Sequence, residues 1–396
     1  MNVSSPHELY RTPRLRQAAR TLSASGRESG GQSRKNPKTC DNRQQGKTCE
    51  AVRAGKKQKK MTGIKSLKTK NYPNVGQGFG VTGGKVLGTR LKRAILIFFV
   101  ILGSYPRIYA QSDNARIVQH LTKITKTDGY RNYKNISLLN QTAEYIFSIF
   151  QQYVDTVYYQ PYQVNGETYK NVIGRLGSAN DKPIIVIGAH YDVCGDTEGA
   201  DDNASAVVGL LELVRLLSKE KLNYPIEFVA YNLEEPPFFR TENMGSFIHA
   251  KSLSDAETPV YGMVCLEMIG YFDDNPNSQS FPVEELKNVF GDVGNFILLA
   301  KHTETGEFVR KFSENFTENA SIVTKSIEAS PKEVQGIDFS DHLNYWKLDY
   351  DALMITDTAF FRNRNYHKSS DTMEKLDIPK MMKVIDATVL AITNLK

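Results

Sequence analysis

Residues 183–192 read Pro-Ile-Ile-Val-Ile-Gly-Ala-His-Tyr-Asp, and this stretch decides the fold. Four consecutive β-branched residues bounded by Pro183 and Gly188 fit a short buried strand better than a helix. His190 follows at the C-terminal end of that strand. In an open α/β sheet ligands bind outside the carboxyl ends of the strands, so a polar residue there faces a crevice and not a core. The same grammar recurs at residues 226–232 (IEFVAYN), which run into Leu233-Glu234-Glu235, and at residues 260–266 (VYGMVCL), which end at Glu267. Three strands thus each bring an imidazole or a carboxylate to one edge of the sheet. Between the first two, residues 204–217 carry Val207, Val208, Leu210, Leu211, Leu213, Val214, Leu216 and Leu217, the pattern of a mostly buried crossover helix. Asp202 and Asn203 are expected to cap its N-terminus. Strand, helix and strand in that order predict a right-handed βαβ unit with parallel strands.

Working outward, residues 113–150 predict two amphipathic helices, and extended segments at 157–163 and 171–176 predict an early hairpin. Beyond Gly270, residues 271–279 (YFDDNPNSQ) form a turn-rich loop. Segments at 295–300 and 321–328, with a helix around 304–316 between them, continue the α/β alternation. A short strand at 352–355 and an amphipathic helix at 378–394 close the chain. The expected fold class is α/β, a three-layer αβα sandwich around a mixed, mostly parallel sheet.

The charge distribution divides the chain. Its net charge is +6, yet residues 1–110 hold 23 Lys+Arg against 4 Asp+Glu, and residues 111–396 hold 27 against 40. Residues 1–93 are a basic leader with no sustained apolar period, which argues against a packed core. Residues 94–103 (AILIFFVILG) follow Lys92-Arg93 and precede Ala110, so residues 94–110 resemble a signal peptide with its cleavage region. The run is shorter than the roughly 20 apolar residues a spanning helix needs. Export to a secreted or periplasmic location is expected, with a mature chain beginning near Gln111; an N-terminal membrane anchor is the alternative. A true start further along, such as Met61, would account for the long leader. Lys56-Lys57-Gln58-Lys59-Lys60 lacks aromatic interleaving and an associated fold motif, which argues against a nucleic-acid-binding arm. Residues 111–396 then form one folded domain. Cys40 and Cys49 fall in the leader. Cys194 and Cys265 each stand two residues from a candidate site residue and allow at most one bridge; two buried small residues is the simpler reading.

The residues at the strand ends are metal-site chemistry. Zinc takes imidazole and carboxylate, and a pair of zinc ions needs one carboxylate to bridge them plus separate ligands for each. His190, Asp202, Glu235 and Glu267 supply one imidazole and three carboxylates. A second imidazole should come from downstream. His120 and His249 fall on helical faces and His302 is expected to start a polar helix, which leaves His367, in a loop between the 352 strand and the last helix, with His342 as runner-up. In the Glu234-Glu235 pair, a strand-end turn lets one carboxylate bind metal while its neighbour acts as a base toward a metal-activated water. Taken singly each motif has an ordinary reading: a Glu-Glu pair is usually solvated surface, and Asp-Asp before a helix is usually a cap. Their recurrence at successive strand ends is what points to a site.

HYD at 190–192, GADDNAS at 199–205, NLEEPP at 232–237, CLEMIGY at 265–271, TDTA at 356–359 and NYHKSSDT at 365–372 resemble the secreted double-zinc aminopeptidase family of metallopeptidase clan MH. Its relatives include glutamate carboxypeptidase, glutaminyl cyclase and the transferrin receptor ectodomain, and the resemblance spans about residues 115–396. It implies a zinc-peptidase catalytic domain acting on peptide substrates with two zinc ions per chain. His190 and Glu267 would bind one ion, Glu235 and His367 the other, and Asp202 would bridge. Asp192 would orient His190, and Glu234 would be the general base for attack by a metal-bridging hydroxide. Many family members have Asp where this chain has Glu267. The implied activity is removal of N-terminal residues; a single-zinc cyclase of the same fold and a non-catalytic interaction ectodomain are the alternatives. The chain shows no large inserted domain of the kind carboxypeptidase relatives carry. Side-chain preference is expected to come from loops at 236–244 and 271–281.

Overall fold

The fold is given by a computed structural model that describes residues 111–178 and 182–396. The leader (1–93), the signal-like segment (94–110), His7, Cys40 and Cys49 lie outside the described residues. The chain enters through helices α1 (Asn114–Thr125) and α2 (Ile136–Phe150). Each starts on a side-chain cap: Asp113 accepts the N–H of Arg116, and Asn135 that of Leu138. A hairpin follows, β1 (Thr156–Val164) and β2 (Glu167–Leu176), turning through Asn165 and Gly166, both at positive φ as a two-residue hairpin turn requires. Next come β3 (Ile184–His190), α3 (Ala206–Leu217), β4 (Ile226–Tyr231), α4 (Gly245–Asp255) and β5 (Val260–Glu267). The rest of the chain adds α5 (Glu284–Phe290), β6 (Ile297–Lys301), α6 (Glu307–Asn319), β7 (Thr324–Glu328), α7 (His342–Trp346), β8 (Ala352–Thr356) and α8 (Ile378–Thr393).

The strands make an eight-stranded sheet in the order β1-β2-β4-β3-β5-β8-β6-β7. The central four, β4, β3, β5 and β8, are mutually parallel, so their carboxyl ends share one edge. Antiparallel pairings, β1 with β2 and β2 with β4 on one side and β8 with β6 on the other, flank them. After β3 the chain moves to β4, and after β4 it crosses back to β5 on the far side of β3. Crevices that hold ligands form at such a reversal.

Side-chain alternation along the strands sorts the interior into two layers. Ile185, Ile187, Phe228, Ala230, Val264, Leu266, Leu353 and Ile355 pack beneath α1, α2, α3, α6 and α8. Ile184, Val186, Val229, Tyr231, Met263, Cys265 and Met354 pack beneath α4, α5 and α7. These layers with the sheet between them are the expected three-layer α/β sandwich. Gly188 is required by this packing, because a Cβ there would collide with the ring of Tyr231. Glu227 is a charge inside β4, held by Arg175 of β2 and by His249 Nε2 of α4 at 3.1 Å. A buried carboxylate persists only with such partners.

One local expectation fails. Asp202 and Asn203 do not cap α3, which starts at Ala206 behind an irregular turn at Ala200–Ser205. The Asn203 side chain instead donates to Leu266 O and accepts from the N–H of Met268, tying the turn to the end of β5. Asp202 is turned toward the sheet edge, where its carboxylate faces two histidines. No helix among the described residues is long and apolar enough to cross a membrane.

Candidate functional site

At the shared carboxyl edge the chain leaves three parallel strands through residues at positive φ: Leu233 after β4, Met268 after β5 and Thr358 after β8. Non-glycine residues in that region carry a conformational cost and gather where the surrounding structure fixes a turn for a purpose. Here the turns bring short polar segments over one point.

His190 ends β3, and its Nε2 lies 3.3 Å from Glu267 Oε2, 3.5 Å from Asp202 Oδ1 and 3.8 Å from Glu234 Oε2. His367 approaches from the loop after β8, with Nε2 3.1 Å from both Asp202 Oδ2 and Glu235 Oε2. The Tyr366 ring stacks on the His367 ring at 3.7 Å between centroids. Asp202 therefore turns one carboxylate oxygen toward each imidazole. His190, Asp202, Glu234, Glu235 and Glu267 are all buried, and His367 is only partly covered.

The runner-up histidine is elsewhere. His342 Nε2 meets Ile337 O at 2.8 Å and its ring packs edge-on against Trp346. His302 also packs on Trp346, and His120 pairs with Tyr145.

Asp192, the residue expected to orient His190, holds this arrangement together with several groups that have no loud signal in the sequence. Asp192 stands 3.4 Å from His190 Nδ1, and its two oxygens accept the backbone N–H groups of Glu234 and Glu235 at 3.2 and 3.1 Å. It thus fixes the glutamate pair as well as facing the imidazole. The Asp371 carboxylate accepts the N–H groups of Asp201 and Asp202 at 3.0 and 3.1 Å. Asp201 in turn accepts from Gly270 N and Asn363 Nδ2. Ser340 Oγ donates to Glu267 Oε2 at 2.7 Å. Buried Arg131 donates to the carbonyls of Tyr191, Glu198 and Gly199, bracing the loop between β3 and Asp202.

The electrostatics ask for a cation. Burial pushes the Glu234 carboxyl well above the usual range, His190 opposing and Glu235 and Glu267 adding to it. Burial and the Asp202 charge raise Glu235 to about 7, against the pull of His367. Burial works against protonation of both imidazoles, yet the carboxylates around them hold both upward, His190 through Glu234 and Glu267 and His367 through Glu235 and Asp202. Asp202 alone moves down: the hydrogen bond and charge of His367 outweigh its burial. Glu235 Oε1 is buried without a hydrogen-bond partner, while Asp202 Oδ2 and His190 Nδ1 have only the facing charges of His367 and Asp192, at 3.1 and 3.4 Å. Buried polar atoms are almost always paired, and buried charges are paired or coordinate metals. Convergent imidazole nitrogens and carboxylate oxygens with lone pairs left over are a donor set that suits zinc.

Around the site, burial lifts Asp341, Asp357 and Asp371 each to about 7. Their unfolded values are near ~3.9, so between ~4 and ~7 the folded chain keeps protons that the unfolded chain has released, and stability falls as pH rises through that window. The chelated protein should therefore show a Tm that declines from about pH 5 to about pH 7 in scanning calorimetry. A midpoint rising over that interval would contradict the burial of these carboxyls.

Beside Glu267 an apolar cleft opens on the α5 and α7 side of the sheet, lined by Phe281, Leu298, Ile337, Phe339, Met354 and Phe361 among others. The expected loop 271–281 contributes Gln279 and Phe281, but loop 236–244 contributes no lining residue. That loop acts from behind: Phe239 packs on Phe339 at 5.8 Å and Arg240 lies over the same ring. The missed walls are residues 334–339 and 358–361, which have no regular hydrophobic period to reveal them.

Comparison with known proteins places this geometry in context. The model of peptidase family M28 matches residues 171–392. The uncharacterized protein YfbL of Escherichia coli is 41% identical over 303 residues, 74% of this chain and 91% of YfbL. Leucine aminopeptidase 1 of Paracoccidioides brasiliensis is 22% identical, over 70% of this chain and 69% of its own length. Among solved structures, the LapA aminopeptidase of Legionella pneumophila superposes with a TM-score of 0.56 at 21% identity, covering 74% of this chain and 78% of that one. The glutaminyl cyclase of Bacteroides thetaiotaomicron gives 0.55 at 16% identity, covering 73% and 100%. These two share the fold.

Proposed function

The chain belongs to peptidase family M28, and from that premise we propose that it is a zinc-dependent aminopeptidase that hydrolyses the N-terminal residue from peptides. The observation that carries the reading is the convergence of His190, Asp202, Glu235, Glu267 and His367 at one sheet edge, with Glu234 beside them. His190 and Glu267 would hold one zinc ion, Glu235 and His367 a second, and Asp202 would bridge. When bound, the ions supply Lewis acidity, which acidifies a water and polarises the scissile carbonyl.

The chain's own groups do the rest. Glu234 reaches the same space as His190 Nε2 without pairing closely to it, a place that suits a group that must take and give a proton beside the ligands. It accepts the proton of the attacking water as the oxygen–carbon bond forms, then delivers it to the amine nitrogen as the carbon–nitrogen bond breaks. Asp192 keeps Glu234 and Glu235 in register through their N–H groups and faces the far nitrogen of His190. Outer partners of this kind set ligand orientation.

The cleft beside Glu267 supports a preference for large apolar N-terminal side chains. Leucyl, methionyl or phenylalanyl substrates should exceed alanyl ones by about 10–200-fold in kcat/KM, the usual yield of added methylenes in an apolar pocket. The deciding assay is a panel of aminoacyl and N-terminally blocked substrates, with and without chelator. A best substrate with a charged or minimal side chain would remove the cleft from the specificity argument. Cleavage of blocked substrates alone would remove the aminopeptidase assignment. Elemental analysis should give two zinc ions per chain; one ion at saturation would favour a cyclase-like acyl transfer.

A further inference from the structure

The turn after β3 carries a group that the mechanism above does not use. Cys194 is 5% exposed. Its sulfur, a carboxylate oxygen of Glu235 and a ring nitrogen of His367 all lie within 4.8 Å of one another. The turn is fixed from several directions: Val193 donates its N–H to Arg131 O, Asn132 Nδ2 donates to Gly195 O, and Thr197 Oγ1 donates to Cys194 O. A second observation concerns a member of this trio: Glu235, itself buried, keeps its Oε1 without a hydrogen-bond partner.

We propose that Cys194 is a sulfur ligand of the metal position formed by Glu235 and His367. This rests on the two-zinc reading of the site given above. Zinc bonds of about 2.3 Å to sulfur and about 2.0–2.2 Å to nitrogen and oxygen draw such a trio together with small side-chain adjustments. With Asp202 Oδ2, which lies 3.1 Å from His367 Nε2, the position has four protein donors. The position of His190 and Glu267 has three, counting Asp202 as shared. Zinc sites with four protein ligands are closed and structural, whereas those with three keep an exchangeable place. The two halves of the site are therefore unequal: the Cys194 side braces, and the open place belongs to the His190 side, where Glu234 stands. A thiolate also biases that side toward zinc and cobalt over magnesium or manganese.

The test is zinc-edge X-ray absorption on the purified, fully loaded protein, which should show a sulfur shell at about 2.3 Å amounting to about one sulfur per two zinc ions. The cobalt(II)-loaded protein should show a thiolate-to-cobalt charge-transfer band in the near ultraviolet. Cys194→Ser should remove the sulfur shell and the band. Cys265→Ser should keep both, because Cys265 Sγ is paired with Ser340 Oγ at 3.2 Å. Two bound ions without a sulfur shell would overturn the role of Cys194 while leaving the two-zinc reading intact. One ion with a sulfur shell would support Cys194 and overturn the two-ion count. A chain that takes up no metal would overturn both. If Cys194→Ser fails to fold, the absorption edge of the unaltered protein still decides.

Discussion

Glu234→Gln should lower turnover by about 10²–10⁴-fold, the usual worth of a positioned general base, while zinc content stays at the unaltered level. The amide keeps the volume and the backbone N–H bond to Asp192 Oδ1, so the turn after β4 should hold its shape. What it loses is a group able to carry a proton from water to the leaving amine. Glu234 also comes no nearer than 3.8 Å to His190 Nε2, the longest of the contacts that His190 makes with the acids around it. His190, Glu234 and Glu235 also lie close enough together to hold an ion, so the metal content of the Glu234→Gln variant is what tells base from ligand. Glu235→Gln differs in kind, because Glu235 Oε2 is 3.1 Å from His367 Nε2 and its other oxygen is buried without a partner. Metal content should fall together with activity in that variant. Zinc stoichiometry measured beside kcat on one good substrate separates the two. A Glu234→Gln enzyme near full activity, or one that loses zinc as readily as Glu235→Gln, would reverse the assignment of base and ligand.

The strands that build the edge were legible because their burial is written in composition. Residues 183–189 are apolar on both faces, as a central parallel strand must be, so His190 could only be an exit from the sheet. The turn before α3 was not legible in the same way. Asp and Asn ahead of an apolar helical run ordinarily mean a cap, and only tertiary bonds from Asp371, Gly270 and Leu266 turn Asp201, Asp202 and Asn203 inward. Asp371 and Ser340 show the same limit: each acts on a residue far away in sequence, and no local period encodes that distance. His367 approaches the cluster from a polar loop after a strand, the kind of place from which the sequence expects a second imidazole. The burial of His342 against Trp346 supplies the physical reason it stays out of the cluster. Cys194 reads locally as one more small buried residue; its approach to Glu235 and His367 depends on how three strand-end loops meet.

Asp202→Asn should have the widest effect on metal of any single substitution here. Its two oxygens face different imidazoles, 3.5 Å from His190 Nε2 and 3.1 Å from His367 Nε2, so one carboxylate serves both halves of the site. Asparagine fills the same volume, and the backbone N–H still reaches Asp371, so folding is not the variable under test. It removes a negative charge and turns an NH₂ toward one donor cluster or the other. Both positions should weaken together, by more than the roughly 10–100-fold in metal affinity that loss of an outer partner such as Asp192 would cause. His367→Ala, by contrast, should release one ion and leave the His190 and Glu267 position loaded. His342→Ala should release neither, because that ring is engaged with Ile337 O and Trp346. Competition titration with a chromophoric chelator gives ions per chain and affinity for each variant. If Asp202→Asn gives up a single ion and keeps the other at unaltered affinity, Asp202 belongs to one position and does not bridge. If His342→Ala gives up an ion that His367→Ala retains, the second imidazole has been assigned to the wrong loop.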